Sequence, residues 1–324
     1  VTVHNPWYGD EVTDQYLFIA RDGEPAPAGF EGQVLRDEAR RVVCMSGSYI
    51  AMLDALGAAD RVVGVSGAQY LINETLRRRI ARGEAADVGF DSNVDFERLM
   101  ALRPDLVMLF GIGGADTALT GKLRELGIPY LYMGEHCEES PLGKSEWVVV
   151  AAEIAGLRTE GSRLIPERYE RLRALAQQTA ARPRVMLNTP YRDTWFMPAR
   201  NSYMVRLLED AGARYIFEEN TATQTLPIDI EQAYYLTSKS DFWLNVSGCN
   251  TLDEVRRQNP RLADTPPVRE GRVYDNNRRR NAAGGSDFWE SGVLRPDRVL
   301  ADLVHIFHPE LSETDELYYY RQLE

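Results

Sequence analysis

Cysteine and histidine are scarce in this chain, which has three cysteines and four histidines among its 324 residues. The cysteines, Cys44, Cys137 and Cys249, are scattered without CxxC spacing, so the sequence predicts neither a zinc site nor a redox dithiol motif. We expect them to act as small apolar side chains in the core. Of the histidines, His136 alone follows a predicted strand, whereas a receptor site for bare zinc or manganese takes several histidines. No metal site is therefore predicted.

The chain also lacks a long apolar run and an excess of positive charge. Its best apolar stretch, Trp147 to Ala152, is far shorter than the roughly 20 residues that a bilayer-spanning helix needs. The net charge of −12 argues against nucleic acid as the main partner, because phosphate contacts require a basic face. A small anionic ligand is compatible with this charge, since a local arginine cluster dominates at short range. The start at Val1, without methionine or signal peptide, is typical of a processed or trimmed mature form.

What the chain does contain is a repeating strand, turn and helix pattern. The composition, 44% hydrophobic and 27% charged, is that of a globular protein, and the length suffices for two lobes, because single cores divide beyond roughly 250–300 residues. Short apolar runs such as Arg41 to Cys44 end in Ser-Gly turns that are followed by helical periodicity. This pattern predicts right-handed crossovers and mainly parallel sheets.

Between Leu142 and Ala180 the strand pattern is absent and two helices are predicted, over Ser145 to Ala155 and Thr159 to Ala180. Pro166 should kink the second helix or reset its start. About 22 residues at 1.5 Å each would form a rod of roughly 33 Å, which we interpret as a linker between lobes. The predicted organisation is an N-terminal extension (1–33), an N-terminal α/β lobe (34–141), a helical linker (142–182) and a C-terminal α/β lobe (183–324).

A weak internal repeat agrees with two lobes. Asp95-Phe96-Glu97 begins a predicted helix that leads to Leu102 and then an apolar strand. Asp229-Ile230-Glu231 begins another, which leads to Leu236 and a second apolar strand. The same order of features in both halves favours two related α/β units.

Three segments of the first lobe, Val94 to Val107, Leu56 to Val65 and Gly127 to Tyr130, carry signature patterns that together are fairly specific. They resemble those of the class III periplasmic binding proteins, receptors of ABC importers for ferric siderophores, haem or cobalamin. The second lobe matches mainly by pattern, with Gly271 to Tyr274 near its end. The chain departs from the family at Ser238-Lys239-Ser240, where the usual Asn-Pro before aspartate is missing.

This resemblance implies two Rossmann-like lobes with mainly parallel sheets, joined by a long helical linker, with the ligand in a cleft between them. The implied function is that of a monomeric periplasmic receptor that delivers an iron complex, a ferric siderophore or haem, to an ABC permease, without a cofactor of its own. A corrinoid receptor of the same fold is the alternative. A lipid anchor would need a residue outside this chain. An enzyme on a two-lobed scaffold is less favoured, because the sequence has no GxSxG, P-loop or HExxH motif.

In this family one glutamate in each lobe docks against arginines of the permease dimer, and motif position assigns this role to Glu97 and Glu231. Each is predicted in the first turn of a helix, where the helix dipole favours a carboxylate. An exposed carboxylate can bind an arginine through two hydrogen bonds. The alternative is that both are ordinary acidic residues at helix starts.

Ligands of parallel α/β sheets lie beyond the carboxyl ends of the strands, and this rule selects candidate residues. Aromatic and arginine side chains are concentrated there and suit a flat or anionic chelate through stacking and charge-assisted hydrogen bonds. The alternative is a solvated arginine run and a core tryptophan. The residues predicted to bind ligand are Tyr49, Tyr70, Tyr191, Arg192, Trp195, Arg278, Arg279 and Trp289.

Overall fold

The structure is a computed structural model that describes residues 1–7, 13–111, 117–191, 194–221, 224–312 and 315–324. The chain forms two compact units. Unit 1 comprises Val1–Glu138, Leu142–Ile165 and Arg280–Leu294, and unit 2 comprises Glu139–Pro141, Pro166–Arg279 and Arg295–Glu324.

Unit 1 contains a small N-terminal sheet and a five-stranded parallel sheet. The small sheet has the order β1-β2-β3, and the main sheet has the order β6-β5-β4-β7-β8. The strands are β1 (Thr2–His4), β2 (Asp14–Ala20), β3 (Gln33–Arg36), β4 (Val42–Cys44), β5 (Val62–Val65), β6 (Ala86–Asp87), β7 (Leu106–Phe110) and β8 (Tyr130–Met133). The helices are α1 (Gly47–Ala55), α2 (Glu74–Ala81), α3 (Phe96–Ala101), α4 (Ala118–Leu126), α5 (Pro141–Ile154) and α6 (Arg158–Ser162), with 3₁₀ turns at Arg21–Gly23, Ala59–Arg61, Ala68–Tyr70, Glu135–Cys137 and Ser291–Val293.

The main sheet of unit 1 is covered on both faces. Successive residues of a strand point to opposite faces, so Val42 and Cys44 pack into one apolar cluster while Val43 packs into another. Parallel sheets are characteristically buried in this way, which explains the continuous apolar runs that the sequence shows. The N-terminal residues belong to the same core, because Leu17 and Leu35 lie in the first cluster.

Unit 2 has a five-stranded sheet in the order β12-β9-β14-β15-β16, parallel except for β16, and a three-stranded antiparallel sheet in the order β10-β11-β13. The strands are β9 (Arg184–Leu187), β10 (Pro190–Tyr191), β11 (Thr194–Met197), β12 (Arg214–Tyr215), β13 (Leu226–Ile228), β14 (Phe242–Leu244), β15 (Val273–Asp275) and β16 (Arg321–Gln322). The helices are α7 (Arg168–Ala176), α8 (Tyr203–Asp210), α9 (Ile230–Ser238), α10 (Leu252–Gln258), α11 (Pro266–Arg269) and α12 (Pro296–Phe307), with 3₁₀ turns at Pro260–Leu262 and Pro309–Leu311.

Two separate, mainly parallel sheets confirm the predicted fold class, but the predicted rod from Thr159 to Ala180 is wrong. Helix α6 ends at Ser162, and α7 begins at Arg168, so Pro166 resets the helix start. Proline has no N–H for the helical hydrogen bond, and its ring collides with the preceding turn. The residues predicted as one linker are consequently divided between the units at position 165.

The segment Arg280–Leu294 belongs to unit 1, although the sequence suggested the C-terminal lobe. The Asn281 side-chain amide donates hydrogen bonds to the carbonyl oxygens of Gln69 and Leu71, at 3.0 and 3.2 Å. Val293 and Leu294 lie in the first apolar cluster of unit 1. Buried apolar area and paired backbone groups, rather than position in the chain, decide where this segment packs.

None of the helices in the described parts of the chain combines enough length and apolarity to cross a bilayer.

Candidate functional site

A cavity of about 290 Å³ lies in unit 1 at the carboxyl ends of β4 and β5. The turns after these two strands form one wall, and the segment from 284 to 290 forms another. The lining residues are Ser46, Gly47, Ser66, Gly67, Tyr70, Leu71, Gly284, Gly285, Ser286, Trp289 and Glu290. This is the position at which parallel α/β sheets hold ligands.

Glycines allow the walls of the cavity to come together. A Cβ at Gly285 would lie 1.7 Å from the carbonyl oxygen of Tyr70, so no larger residue fits without moving the backbone. A Cβ at Gly47 would lie 3.2 Å from Cγ of Glu290. Gly67 has a φ of +63°, in the left-handed region that favours glycine. The Ser-Gly and Gly-Gly pairs of the sequence therefore shape the cavity.

Two exposed aromatic side chains face this region. Tyr70 is 43% exposed, and Trp289 is 58% exposed. Tyr70 lies beside Phe90, with ring centroids 6.2 Å apart, and Trp289 packs edge-on against the buried Phe288 at 4.7 Å. Exposed rings held by neighbouring rings offer rigid apolar surfaces for a planar or apolar ligand group.

Glu290 is the acidic group of the cavity, and it is only 5% exposed. Its carboxylate accepts hydrogen bonds from the backbone amides of Ile72 and Asn73, at 2.9 and 2.6 Å. The pKa of Glu290 is raised to about 7, mainly by burial and in smaller part by the charges of Asp287 and Asp54, while the two amides oppose the rise. Glu290 thus ties the segment 280–294 to the start of α2 and brings a titratable group to the cavity wall.

A buried hydrogen-bond chain connects the cavity wall to Glu135, whose side chain interacts electrostatically with Lys144. The Ser48 hydroxyl donates to Oε1 of Glu135 at 2.8 Å, and Ser46 Oγ lies 2.9 Å from Ser48 Oγ. Burial raises the pKa of Glu135 and lowers the pKa of Lys144, while the charge of each opposes the shift of the other. The chain fixes the orientation of the Ser46 hydroxyl at the cavity wall.

The other reactive side chains do not form a metal site within the described residues. Cys44 and Cys249 are buried, Cys137 is half-buried, and all three are free thiols. Burial raises the pKa of Cys137 to about 11. His136 packs against the ring of Phe110 at 4.4 Å, and burial lowers its pKa. Cys44 and Cys249 are therefore core residues, whereas His136 and Cys137 are partly buried.

Of the residues predicted to bind ligand, Tyr70 and Trp289 line the cavity. Tyr49 is fully buried and its hydroxyl donates to the carbonyl oxygen of Leu109 at 3.2 Å. Trp195 is 1% exposed and its indole N–H donates to the carbonyl oxygen of Leu187 at 2.9 Å. Tyr49 and Trp195 are therefore core residues.

The other predicted ligand residues that the structure describes, Tyr191, Arg278 and Arg279, lie in unit 2, outside this cavity. Tyr191 on β10 is 66% exposed. Arg278 pairs with Glu316 at 3.0 Å. Arg279 lies over the ring of Tyr318, at 4.6 Å from its centroid. Arg192 is outside the described residues.

The two predicted docking glutamates occupy equivalent local structures. Glu97 is exposed in the first turn of α3, whose N-cap Asp95 accepts a hydrogen bond from the amide of Arg98. Glu231 is exposed in the first turn of α9, whose N-cap Asp229 accepts from the amide of Gln232. The repeat seen in the sequence thus corresponds to two capped helix starts, and the docking role itself stays a prediction.

The structure also shows a difference between these glutamates. Glu231 forms an ion pair with Arg261 at 3.0 Å and lies beside a groove of about 500 Å³ in unit 2. The sequence offered no sign of this pair, because 30 residues separate its members. Glu290 was missed for a similar reason, since nothing in Asp287-Phe-Trp-Glu290 indicates that the last carboxylate is buried.

Comparison with known proteins gives consistent matches. The model of a family described as periplasmic binding protein matches residues 42–278. Two uncharacterised lipoproteins of Methanocaldococcus jannaschii are similar: one is 26% identical over 94% of this chain and 77% of its own length, and the other is 22% identical over 96% and 81%.

Solved structures show the same fold. A periplasmic haem-binding protein from Pseudomonas aeruginosa has a TM-score of 0.66 and 20% identity, over 88% of this chain and 98% of that one. The siderophore-binding protein FhuD from Vibrio cholerae, with Fe³⁺-Desferal bound, has a TM-score of 0.58 and 16% identity, over 83% and 99%. Because the family match covers most of the chain and the fold agrees, the chain belongs to the class III periplasmic binding proteins, the substrate-binding proteins of ABC importers.

Proposed function

We propose that this protein binds an iron complex, a ferric siderophore or haem, and delivers it to an ABC permease. The observation that carries the proposal is the cavity at the ends of β4 and β5, where two exposed aromatic rings face serine hydroxyls and glycine backbone. Proteins of this family bind small-molecule chelates and act with ABC permeases. The haem and Fe³⁺-Desferal named for the two structural relatives support iron complexes as the cargo class.

The lining residues would bind such a complex without any chemical step. Tyr70 and Trp289 would contact its apolar or planar groups, and burying aromatic surface against them supplies most of the free energy of binding. The hydroxyls of Ser66 and Ser286 would orient polar groups of the complex. We therefore propose a receptor rather than an enzyme.

We further propose that Glu97 and Glu231 contact arginines of the permease, as the family pattern implies. Both are exposed on capped helix starts, where a carboxylate can form paired hydrogen bonds to a guanidinium group, and a permease arginine at Glu231 would join or replace its exposed pair with Arg261. We also propose that the protein acts in the periplasm, as a monomer. The two similar lipoproteins favour a lipid anchor.

A corrinoid is the second candidate because of one observation. Within the described residues, no lysine or arginine lines the cavity, so a ligand with an uncharged amide rim suits its wall better than a polyanion does.

Equilibrium binding to a panel tests the cargo class. Haemin, ferrichrome, ferrioxamine B and cyanocobalamin would each be titrated while protein fluorescence is recorded. We expect micromolar or tighter binding of an iron complex; exclusive binding of cyanocobalamin would favour the second candidate. Binding of all four no tighter than the millimolar range would contradict the proposal.

The variant Tyr70→Ala should weaken binding about two- to tenfold, the value of one aromatic contact. Tyr234→Ala is the matched control, because Tyr234 is similarly exposed, at 47% against 43%, but lies on α9 in unit 2. Equal effects of the two variants would show that Tyr70 is not at the binding site.

A further inference from the structure

The charges at the cavity wall are mainly negative. Glu290 contributes the carboxylate in the lining, and Asp54 and Asp287 lie close enough to raise its pKa. Asp87, at the end of β6, accepts hydrogen bonds from the backbone amides of Gly67 and Ala68, at 3.2 and 2.7 Å, behind the wall that Gly67 forms. One carboxyl group therefore lines the cavity, and three more lie near Glu290 or behind the wall.

Arg280 is a cation that lies beside one of the lining residues, Gly284. A Cβ at Gly284 would lie 3.1 Å from Nη2 of Arg280, so the guanidinium group is at the rim beside Gly284. Arg280 is exposed, whereas Glu290 is only 5% exposed. Water and salt screen the charge of an exposed group far more than that of a buried one. The buried carboxylate consequently dominates the potential felt inside the cavity.

The aromatic side chains favour the same sign of ligand charge. Tyr70 and Trp289 line the cavity with exposed rings, and the negative face of an aromatic ring attracts a cation within about 6 Å of its centroid. Aromatic faces bind ammonium groups in proteins, and a nearby carboxylate adds Coulomb attraction for the same charge. Carboxylate or sulfonate groups would meet repulsion from the same residues.

We infer that this cavity selects iron complexes that present an ammonium group, and that the carboxylate of Glu290 attracts this ammonium group. The inference rests on the proposed function and narrows its ligand class. Ferric trihydroxamates with a free amine belong to this class. Haem with its carboxylates, and anionic catecholates, do not.

The preference of the cavity for an ammonium group should change with pH in a definite direction. The groups that act on Glu290 are the amides of Ile72 and Asn73 and the carboxyl groups of Asp287 and Asp54, whereas Arg280 lies beside Gly284. Because the pKa of Glu290 is raised to about 7, its carboxylate is charged at pH 8.5 and protonated at pH 5.5. An ammonium group should therefore be preferred at pH 8.5, and this preference should fall at pH 5.5.

Ferrioxamine B and N-acetylferrioxamine B form a matched pair of probes, since both bind iron identically and only the first carries an ammonium group. At pH 8.5 we expect the full chain to bind ferrioxamine B about three- to tenfold more tightly than N-acetylferrioxamine B. This ratio corresponds to one partly buried charge contact with an aromatic neighbour. At pH 5.5 the ratio of affinities should fall to within about twofold.

The variant Glu290→Gln should bind ferrioxamine B and N-acetylferrioxamine B with affinities within about twofold of each other at both pH values. Glu125→Gln removes the same charge at an exposed pair with Lys122, and it should keep the wild-type ratio and its pH dependence. Should Glu290→Gln fail to fold, the two probes and two pH values on the wild-type protein still decide the question.

The possible failures are distinguishable. Two results would overturn the inference and leave the proposed function intact. One is equal affinity for the two probes at pH 8.5, and the other is binding of haemin with no binding of either probe. Absence of binding to every iron complex would overturn the proposed function and the inference with it.

Discussion

Replacing Glu290 with glutamine should reverse the order of stability between variant and wild type as the pH rises. Burial raises the pKa of Glu290 from its ordinary 4.5 to about 7, with Asp287 and Asp54 adding to the rise. A carboxyl group with a raised pKa in the folded state stabilises fully below pH 4.5, and this contribution is lost as the pH passes through 7. One pKa unit corresponds to about 1.4 kcal/mol, so the loss by pH 8 is about 3 kcal/mol.

Glutamine does not titrate and has one acceptor oxygen for the two amides of Ile72 and Asn73. The variant therefore loses about one hydrogen bond, which costs about 1 kcal/mol. At pH 4.5 we expect the variant to unfold at a lower temperature than wild type. At pH 8 it should unfold at a higher temperature, because the penalty of the buried charge is absent.

Scanning calorimetry between pH 4.5 and 8 measures this difference directly. Other acidic groups titrate in both proteins, so their contributions cancel when the two curves are subtracted. Glu125→Gln is the control, and its curve should parallel that of wild type, because the charge it removes is exposed. Parallel curves for wild type and Glu290→Gln would refute the assignment of Glu290 as a buried titrating group.

The other predictions concern the cavity wall and the docking surface. Gly285→Ala should lower the unfolding temperature and weaken ligand binding, because its Cβ would lie 1.7 Å from the Tyr70 carbonyl oxygen. Gly121→Ala in α4 is the control, since its Cβ meets open space and should raise stability by about 1 kcal/mol. Similar unfolding temperatures for the two variants would argue against the close approach of Gly285 to Tyr70. The double variant Glu97→Ala with Glu231→Ala should keep the affinity for the iron complex and abolish its uptake by cells that carry the permease. Equal loss of ligand binding would show that these glutamates are misassigned.

Much of the fold could be predicted because its causes are local. The apolar run Val42–Cys44 followed by Ser46-Gly47 predicts a buried strand with a turn at its carboxyl end, and the same holds for Val62–Val65 and Ser66-Gly67. Pro166 likewise marked the break in the helical region, because its effect depends only on the adjoining turn.

The candidate site could be predicted only in part, because side-chain direction depends on packing. Tyr49 and Tyr70 both follow strands of the main sheet, yet Tyr49 enters the core through α1 and Tyr70 faces the cavity. Trp195 follows β9 as predicted, but strand alternation in β11 points it inward and leaves Phe196 exposed. Periodicity in the sequence cannot decide between two faces that are both apolar.

The contribution of residues 280–294 to unit 1 could not be predicted, since it depends on contacts between residues about 200 positions apart. The arginine run beside this segment suggested an anionic ligand. The structure separates its members: Arg278 pairs with Glu316, Arg279 lies over Tyr318, and Arg280 is at the rim of the cavity. Three adjacent residues of one charge thus have three different surroundings.

The return of the chain to unit 1 has a consequence for how such receptors diverge. A crossover between two related genes at codon 166 would join the β-sheet of one parent's first unit to the Trp289 and Glu290 of the other parent. The hybrid would carry a mixed cavity wall rather than either parental wall. Inheritance of ligand preference in these chimaeras should therefore follow neither half of the gene alone.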